Sequence, residues 1–215
     1  MSNNIGLLGG TFNPIHRGHI DLGLTVLAAF NLDCIYYILS ARPPHKKSGE
    51  LASSELRWEM LLRALKPFPA LIPCDIEMQL PHDSWTIDTI QLLIQKNPHH
   101  RYFFISGSEG FLKIKTWKNY KQLLQMISFI VILRLDHHKT MVIKLLEEEN
   151  IPYTTNFLAQ ESFSGSKVYL YSYHSGTIDI SSTLIREHVK ESKNIEHFVD
   201  SEVKKIMEEN KLYEK

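Results

Sequence analysis

A chain of 215 residues is long enough for one substantial hydrophobic core and leaves little room for two independently folded domains. Hydrophobic residues at 43% and charged residues at 22% are ordinary for a globular protein and give no sign of fibre, disorder or membrane residence. The 24 basic and 24 acidic side chains cancel, which removes the broad positive field expected of a protein that tracks along nucleic acid. Any anionic ligand must therefore be bound locally.

The first residues carry no basic stretch followed by a long apolar one, so no export signal is expected. A short continuous apolar run at about 5–8 reads as a buried strand. Apolar residues at three and four spacing follow (Ile20, Leu22, Leu24, Leu27, Ala28), the pattern of an amphipathic helix. A second strand is predicted at 34–39, and a second helix through Leu56, Met60, Leu61 and Leu65. The helix after it runs from about 87 to 96, with Thr86 at its N-terminus. Strands at about 102–105 and 129–133 follow, then a polar loop at 159–167 and a further strand at 168–173. Helices at 182–190 and 201–209 complete the chain. The two cysteines, Cys34 and Cys74, are too few for a disulfide framework and read as buried reduced thiols. The histidine pairs His99-His100 and His137-His138 read as exposed loop residues.

Alternation of strand and helix is the mark of an α/β fold with a parallel sheet covered on both faces by right-handed crossovers. No composition shift or linker suggests a boundary, so residues 1–215 are expected to form a single domain, with about 180–215 as a small helical C-terminal extension. The longest apolar runs fall far short of the roughly 20 residues needed to cross a bilayer, and a cytoplasmic location is expected.

The strongest local signal is Gly9-Gly10-Thr11-Phe12-Asn13-Pro14-Ile15-His16-Arg17-Gly18-His19, placed where the first strand ends and the first helix begins. Ligands of open parallel sheets bind beyond the carboxyl ends of the strands, where a helix N-terminus favours phosphate. Gly9 and Gly10 allow close approach to a phosphate, Asn13-Pro14 marks a turn, and Gly18 leaves space between two imidazoles that can share a face. A metal site on His16 and His19 and a plain turn remain alternative readings. The first is weakened because structural zinc takes four ligands, usually including thiolate. The G-x-G-x-x-G spacing of dinucleotide-binding dehydrogenases is absent.

This segment resembles the N-terminal motif of the HxGH nucleotidylyltransferases, and in its wording that of the nicotinate-nucleotide adenylyltransferases. Ala41-Arg42-Pro43-Pro44-His45-Lys46 is similar to that family's PHK segment, and Thr86-Ile87-Asp88-Thr89 to its T-x-D-T helix start. Phe104-Ile105-Ser106-Gly107-Ser108-Glu109 resembles its F-I-I-G-A-D strand end, Trp117 falls where the pattern has Trp, and Asp179 to Arg186 is similar to its D-I-S-S-T-x-I-R. Departures are Glu109 for Asp, Ser106 for an apolar residue and Trp85 for Tyr.

The resemblance implies a Rossmann-like fold and transfer of AMP from ATP to nicotinate mononucleotide, giving deamido-NAD and pyrophosphate in NAD biosynthesis. It implies catalytic roles for His16, His19, Lys46 and Arg186. ATP would be bound by Gly9, Gly10, Thr11, Phe12, Gly107, Glu109, Ser182 and Thr183, and the mononucleotide by Thr86, Trp117 and Lys46. Displacement at the α-phosphorus needs positioning and charge neutralisation rather than a protein nucleophile. Mg2+ is expected to bridge the triphosphate, with no protein metal site. Nicotinamide mononucleotide or phosphopantetheine as acceptor, and a nucleotide sensor that has lost catalysis, are the competing functions. The expected partners are small molecules, without nucleic acid or membrane, for a monomer or small homo-oligomer.

Overall fold

The computed structural model describes residues 3–43, 51–80, 85–133, 135–155, 168–173 and 180–214. Its strands are β1 (Asn4–Gly10), β2 (Cys34–Leu39), β3 (Leu71–Cys74), β4 (Arg101–Gly107), β5 (Ser128–Leu133), β6 (Tyr153–Thr154) and β7 (Val168–Ser172). They form a seven-stranded sheet in the order β3-β2-β1-β4-β5-β7-β6, and β1–β4, β4–β5, β5–β7 and β6–β7 all pair in parallel. The strand order reverses between β1 and β4, the topological switch point at which such sheets bind ligands. The helices are α1 (Arg17–Ala29), α2 (Ser54–Leu65), α3 (Thr86–Lys96), α4 (Ser108–Phe111), α5 (Tyr120–Met126), α6 (Asp136–Glu148), α7 (Ser182–Lys190) and α8 (Ser201–Glu209). The fold is α/β and Rossmann-like, as the alternating pattern predicts.

The chain divides into two compact units. One comprises Met1–Gly9, Val26–Ile35 and Trp85–His174, the other Gly10–Thr25, Tyr36–Ser84 and Ser175–Lys215. In the first, continuous apolar runs become strands because both of their faces are covered: Phe129, Ile130, Val131 and Ile132 are fully buried. Aromatic rings thicken this core, with Phe129 set against Phe104 at 5.6 Å and Phe111 at 5.7 Å between centroids. In the second, α2 packs on α8 through Met60, Leu61 and Leu65 and through Val203, Ile206 and Met207, all buried.

Several details differ from the sequence reading or extend it. α3 begins at Thr86, one residue before the predicted 87; Trp85 holds the cap position and makes no side-chain capping bond. α7 spans the predicted 182–190 and is capped by Ser181, its hydroxyl accepting from the Leu184 amide at 3.1 Å. His137 and His138 lie in the first turn of α6 rather than in a loop. β3 and β6 are too short to show a period of two, and Pro73 interrupts the former. Cys34 is buried and Cys74 only half-buried, and neither forms a disulfide. The loop expected at 159–167 lies outside the described residues.

Candidate active site

In the second unit, β1 runs out at Gly10 into a turn that brings two histidines together at the start of α1. Phe12 takes a left-handed conformation (φ 44°) that folds its ring inward, and a Cβ on Gly10 would stand 3.0 Å from that ring. Phe12 meets the His19 ring edge-on at 5.1 Å. The His16 ring stacks on His19 at 3.7 Å, and a Cβ on Gly18 would crowd it at 3.2 Å, so Gly18 provides the space expected of it. The His16 amide donates to Nδ1 of His19 at 3.3 Å, which places the proton of the neutral ring on Nε2, the nitrogen that can then donate to an anion. From below, the Tyr37 hydroxyl donates to the His19 carbonyl at 2.8 Å. It reaches there because Gly23, in mid-helix, leaves the room; a Cβ at 23 would overlap the Tyr37 hydroxyl. Burial, helped by Asp21, pushes the Tyr37 phenol far above its ordinary range, so it stays a donor at any working pH.

The turn is held from three other directions. Arg186 on α7 donates from Nη1 to the Asn13 carbonyl at 3.0 Å and from Nη2 to Thr183 Oγ1 at 3.4 Å. Ser182 donates to the Pro14 carbonyl at 2.9 Å, so its hydroxyl hydrogen is directed to the turn. Asn13, only 2% exposed, accepts at Oδ1 from the Ala52 amide (3.0 Å) and from the Tyr213 hydroxyl (2.6 Å). Arg57, 1% exposed, donates from Nε to Ala52, from Nη1 to Thr11 and Ser40, and from Nη2 to Ala41, all to carbonyls within 2.7–3.0 Å. Burial lowers its pKa, and Tyr213 and Glu55 offset part of that.

In the first unit, Gly9 is the penultimate residue of β1 and Gly107 the last of β4, two strands that run side by side. Gly107 is exposed with no atom within 4 Å of where a Cβ would be, leaving open space at the end of β4. Glu109 is exposed on α4 just beyond it. The buried Ser106 hydroxyl donates to the Gly107 carbonyl at 3.1 Å, which satisfies the polar group that departs from the family pattern. Trp117 is half-buried and sits edge-on to Phe104 at 5.6 Å. Beside it, Lys118 bridges to Asp88 in the first turn of α3 at 3.0 Å. Ser108 and His138 form a hydroxyl–imidazole pair at 2.9 Å that the sequence reading did not anticipate. Ser108 is only 2% exposed, so the contact ties α4 to α6 and the hydroxyl cannot reach a substrate.

The cytidylyltransferase-like family model matches residues 7–188. Over 210 residues the chain is 33% identical to the nicotinate-nucleotide adenylyltransferase of Bacillus subtilis (strain 168), covering 98% of each sequence. The chain belongs to the nicotinate-nucleotide adenylyltransferase family. Its fold is similar to that of Plasmodium falciparum nicotinic acid mononucleotide adenylyltransferase. For that enzyme complexed with NaAD the TM-score is 0.75 at 18% identity, covering 98% of this chain and 97% of that one. For the same enzyme complexed with APC it is 0.72, with the same coverage.

For a member of the nicotinate-nucleotide adenylyltransferase family, the residues brought together in the second unit are Gly10, Thr11, Phe12, His16, His19, Ser182, Thr183 and Arg186. Gly9, Thr86, Gly107, Glu109 and Trp117 belong to the first unit, and Lys46 lies outside the described residues. Sequence reasoning missed Arg57, Tyr37, Tyr213 and the side chain of Asn13. Glycine at position 23 of an otherwise regular helix was the one available signal, since it marks a close approach. Among the described residues no three His, Cys, Asp or Glu side chains cluster to hold a metal ion, and no helix is long and apolar enough to cross a membrane.

Proposed function

We propose that this chain transfers the AMP portion of ATP to nicotinate mononucleotide, forming deamido-NAD and pyrophosphate. The observation that carries the mechanism is the stacked His16–His19 pair, with the His19 proton directed to Nε2 by the His16 amide. A phosphate oxygen of the mononucleotide forms a bond to the α-phosphorus as the bond from that phosphorus to pyrophosphate breaks. Charge grows on the α-phosphate oxygens and the leaving group, and preorganised donors aimed there lower the barrier. His19 and His16 supply donors on one side, and Arg186, anchored on the Asn13 carbonyl, supplies a fixed cation for the β and γ phosphates. Lys46 adds a further positive charge by resemblance to the family.

Gly9, Gly10, Thr11, Phe12, Ser182 and Thr183 are assigned to the phosphates and ribose of ATP, Gly107 and Glu109 to its nucleoside. Thr86, at the N-terminus of an eleven-residue helix without a side-chain cap, and Trp117 are assigned to the carboxylate and ring of the pyridine nucleotide. Mg2+ is assigned to the triphosphate, which would hold it through phosphate oxygens without a protein metal site. When bound, it neutralises charge on the polyphosphate. The enzyme is assigned to the cytoplasm, acting on small molecules as a monomer or small homo-oligomer, which sedimentation measures.

The test is pyrophosphate release with ATP and Mg2+, comparing nicotinate mononucleotide, nicotinamide mononucleotide and phosphopantetheine, with product mass determined. Release with the first is expected. Preference for either other acceptor refutes the assignment of Thr86 and Trp117, and release with none refutes the activity.

A further inference from the structure

We propose that Arg57 and Tyr213 are positioning residues for the reaction, holding the carbonyl oxygens and the Asn13 side chain of residues 10–14 so that the turn presents amides, rather than carbonyls, to the polyphosphate. The inference rests on the proposed nucleotidyl transfer for its kinetic readout and on the hydrogen-bond geometry for its structure.

A backbone turn that receives phosphate must direct its carbonyl oxygens elsewhere, since an exposed carbonyl beside a polyphosphate is a like-signed dipole. Here the partners of those oxygens are in place. The Gly10 carbonyl accepts from the Ser40 amide at 2.8 Å, that of Thr11 from Arg57, that of Asn13 from Arg186 and that of Pro14 from Ser182. In a planar trans peptide the N–H points opposite to the C=O. Fixing the Gly10 and Thr11 carbonyls therefore fixes the opposite direction of the Thr11 and Phe12 amides.

Arg57 suits this task in a way that a lysine would not. Its planar fork reaches four carbonyls on three chain segments: the turn after β1, the end of β2 and the approach to α2. A single ammonium cannot span them. No carboxylate pairs with the guanidinium in these bonds, so its charge is compensated by backbone dipoles, one of them that of the turn residue Thr11. Tyr213 works on the other end. Its hydroxyl and the Ala52 amide both donate to Asn13 Oδ1, while the Asn13 carbonyl receives Arg186. Moving the Asn13 side chain thus moves the acceptor on which Arg186 rests. Neither Arg57 nor Tyr213 need touch substrate.

The test uses the full-length protein with Tyr213→Phe, which deletes one hydroxyl, and Arg57→Lys, which keeps charge but not the fork. Each is also combined with Arg186→Lys. Both single variants are expected to lower kcat about tenfold, a misplacement effect, with KM for the mononucleotide changed less than twofold. Tyr213→Phe and Arg186→Lys should be non-additive, because they act through one acceptor residue. A kcat per folded molecule equal to wild type, with only Tm lowered, overturns the proposal, as does strict additivity in the Tyr213/Arg186 pair. Calorimetric affinity for ATP is read on the same proteins. If wild type releases no pyrophosphate, the proposed function fails; the positioning role then stands or falls on whether the two substitutions weaken ATP binding non-additively.

Discussion

His19 depends on contacts that reach it from its backbone as much as from its ring. The His16 amide sets its tautomer, and the Tyr37 hydroxyl holds its carbonyl from within the core. His19→Ala removes a donor to the transition state and is expected to lower turnover about 100-fold, roughly 2.7 kcal/mol of barrier. Steady-state rates at saturating ATP check this, and unchanged turnover would refute the mechanism. Gly23→Ala should destabilise the protein by about 1–3 kcal/mol, because the new methyl displaces the Tyr37 phenol from a packed interior. Tyr37→Phe in the same background should recover part of the loss in Tm, since the atom that clashes is the one removed. Restoration by Tyr37→Phe of nothing at all would place the strain elsewhere.

At the scale of elements, α7 carries Arg186 and is started by Ser181. Ser181→Ala removes the capping bond to Leu184 and should cost about 1 kcal/mol in unfolding free energy. Because the frayed turn is the one that aims Arg186, KM for ATP is expected to rise with it; denaturant titration and kinetics on one preparation measure both. The position of this helix was legible in the sequence, and so were β1, β2, β4, β5, α1, α2 and α8, because each has a long run or a clear period. What was not legible is instructive. Ser181, Ser182 and Thr183 are all acceptable caps chemically, and only the backbone angles of Ser181 (φ −131°, ψ 150°) select it. Arg57 falls in phase with the buried Met60, Leu61, Ala64 and Leu65, but a cation in an amphipathic pattern reads as solvated, so its residue type hid it. It is buried because four carbonyls from other segments converge on it, and such convergence is a property of three dimensions.

At the scale of the molecule, the alternating pattern anticipated the class of sheet, and the strand order places the change of direction between β1 and β4, in whose last two residues the motif glycines Gly9 and Gly107 lie. The division of the chain between two compact units arises from contacts between distant segments, which no change in composition marks. That division has a chemical consequence through the two cysteines. Cys34 belongs to one unit and Cys74 to the other, and the buried Cys34 is a native reporter of the opening of its unit. Burial, with Asp33 adding to it, raises the Cys34 thiol from its ordinary 9.0 to about 11. The folded state therefore holds this proton more tightly than the unfolded chain. The corresponding stability is intact below about pH 9 and is lost as pH rises through about 11. At pH 8 the half-buried Cys74 should be alkylated first, while Cys34 reacts at the rate set by local unfolding. Mass spectrometry of partially labelled protein would then measure the opening of the unit that holds Cys34, with Cys74 as the internal reference, without any dye or mutation being introduced.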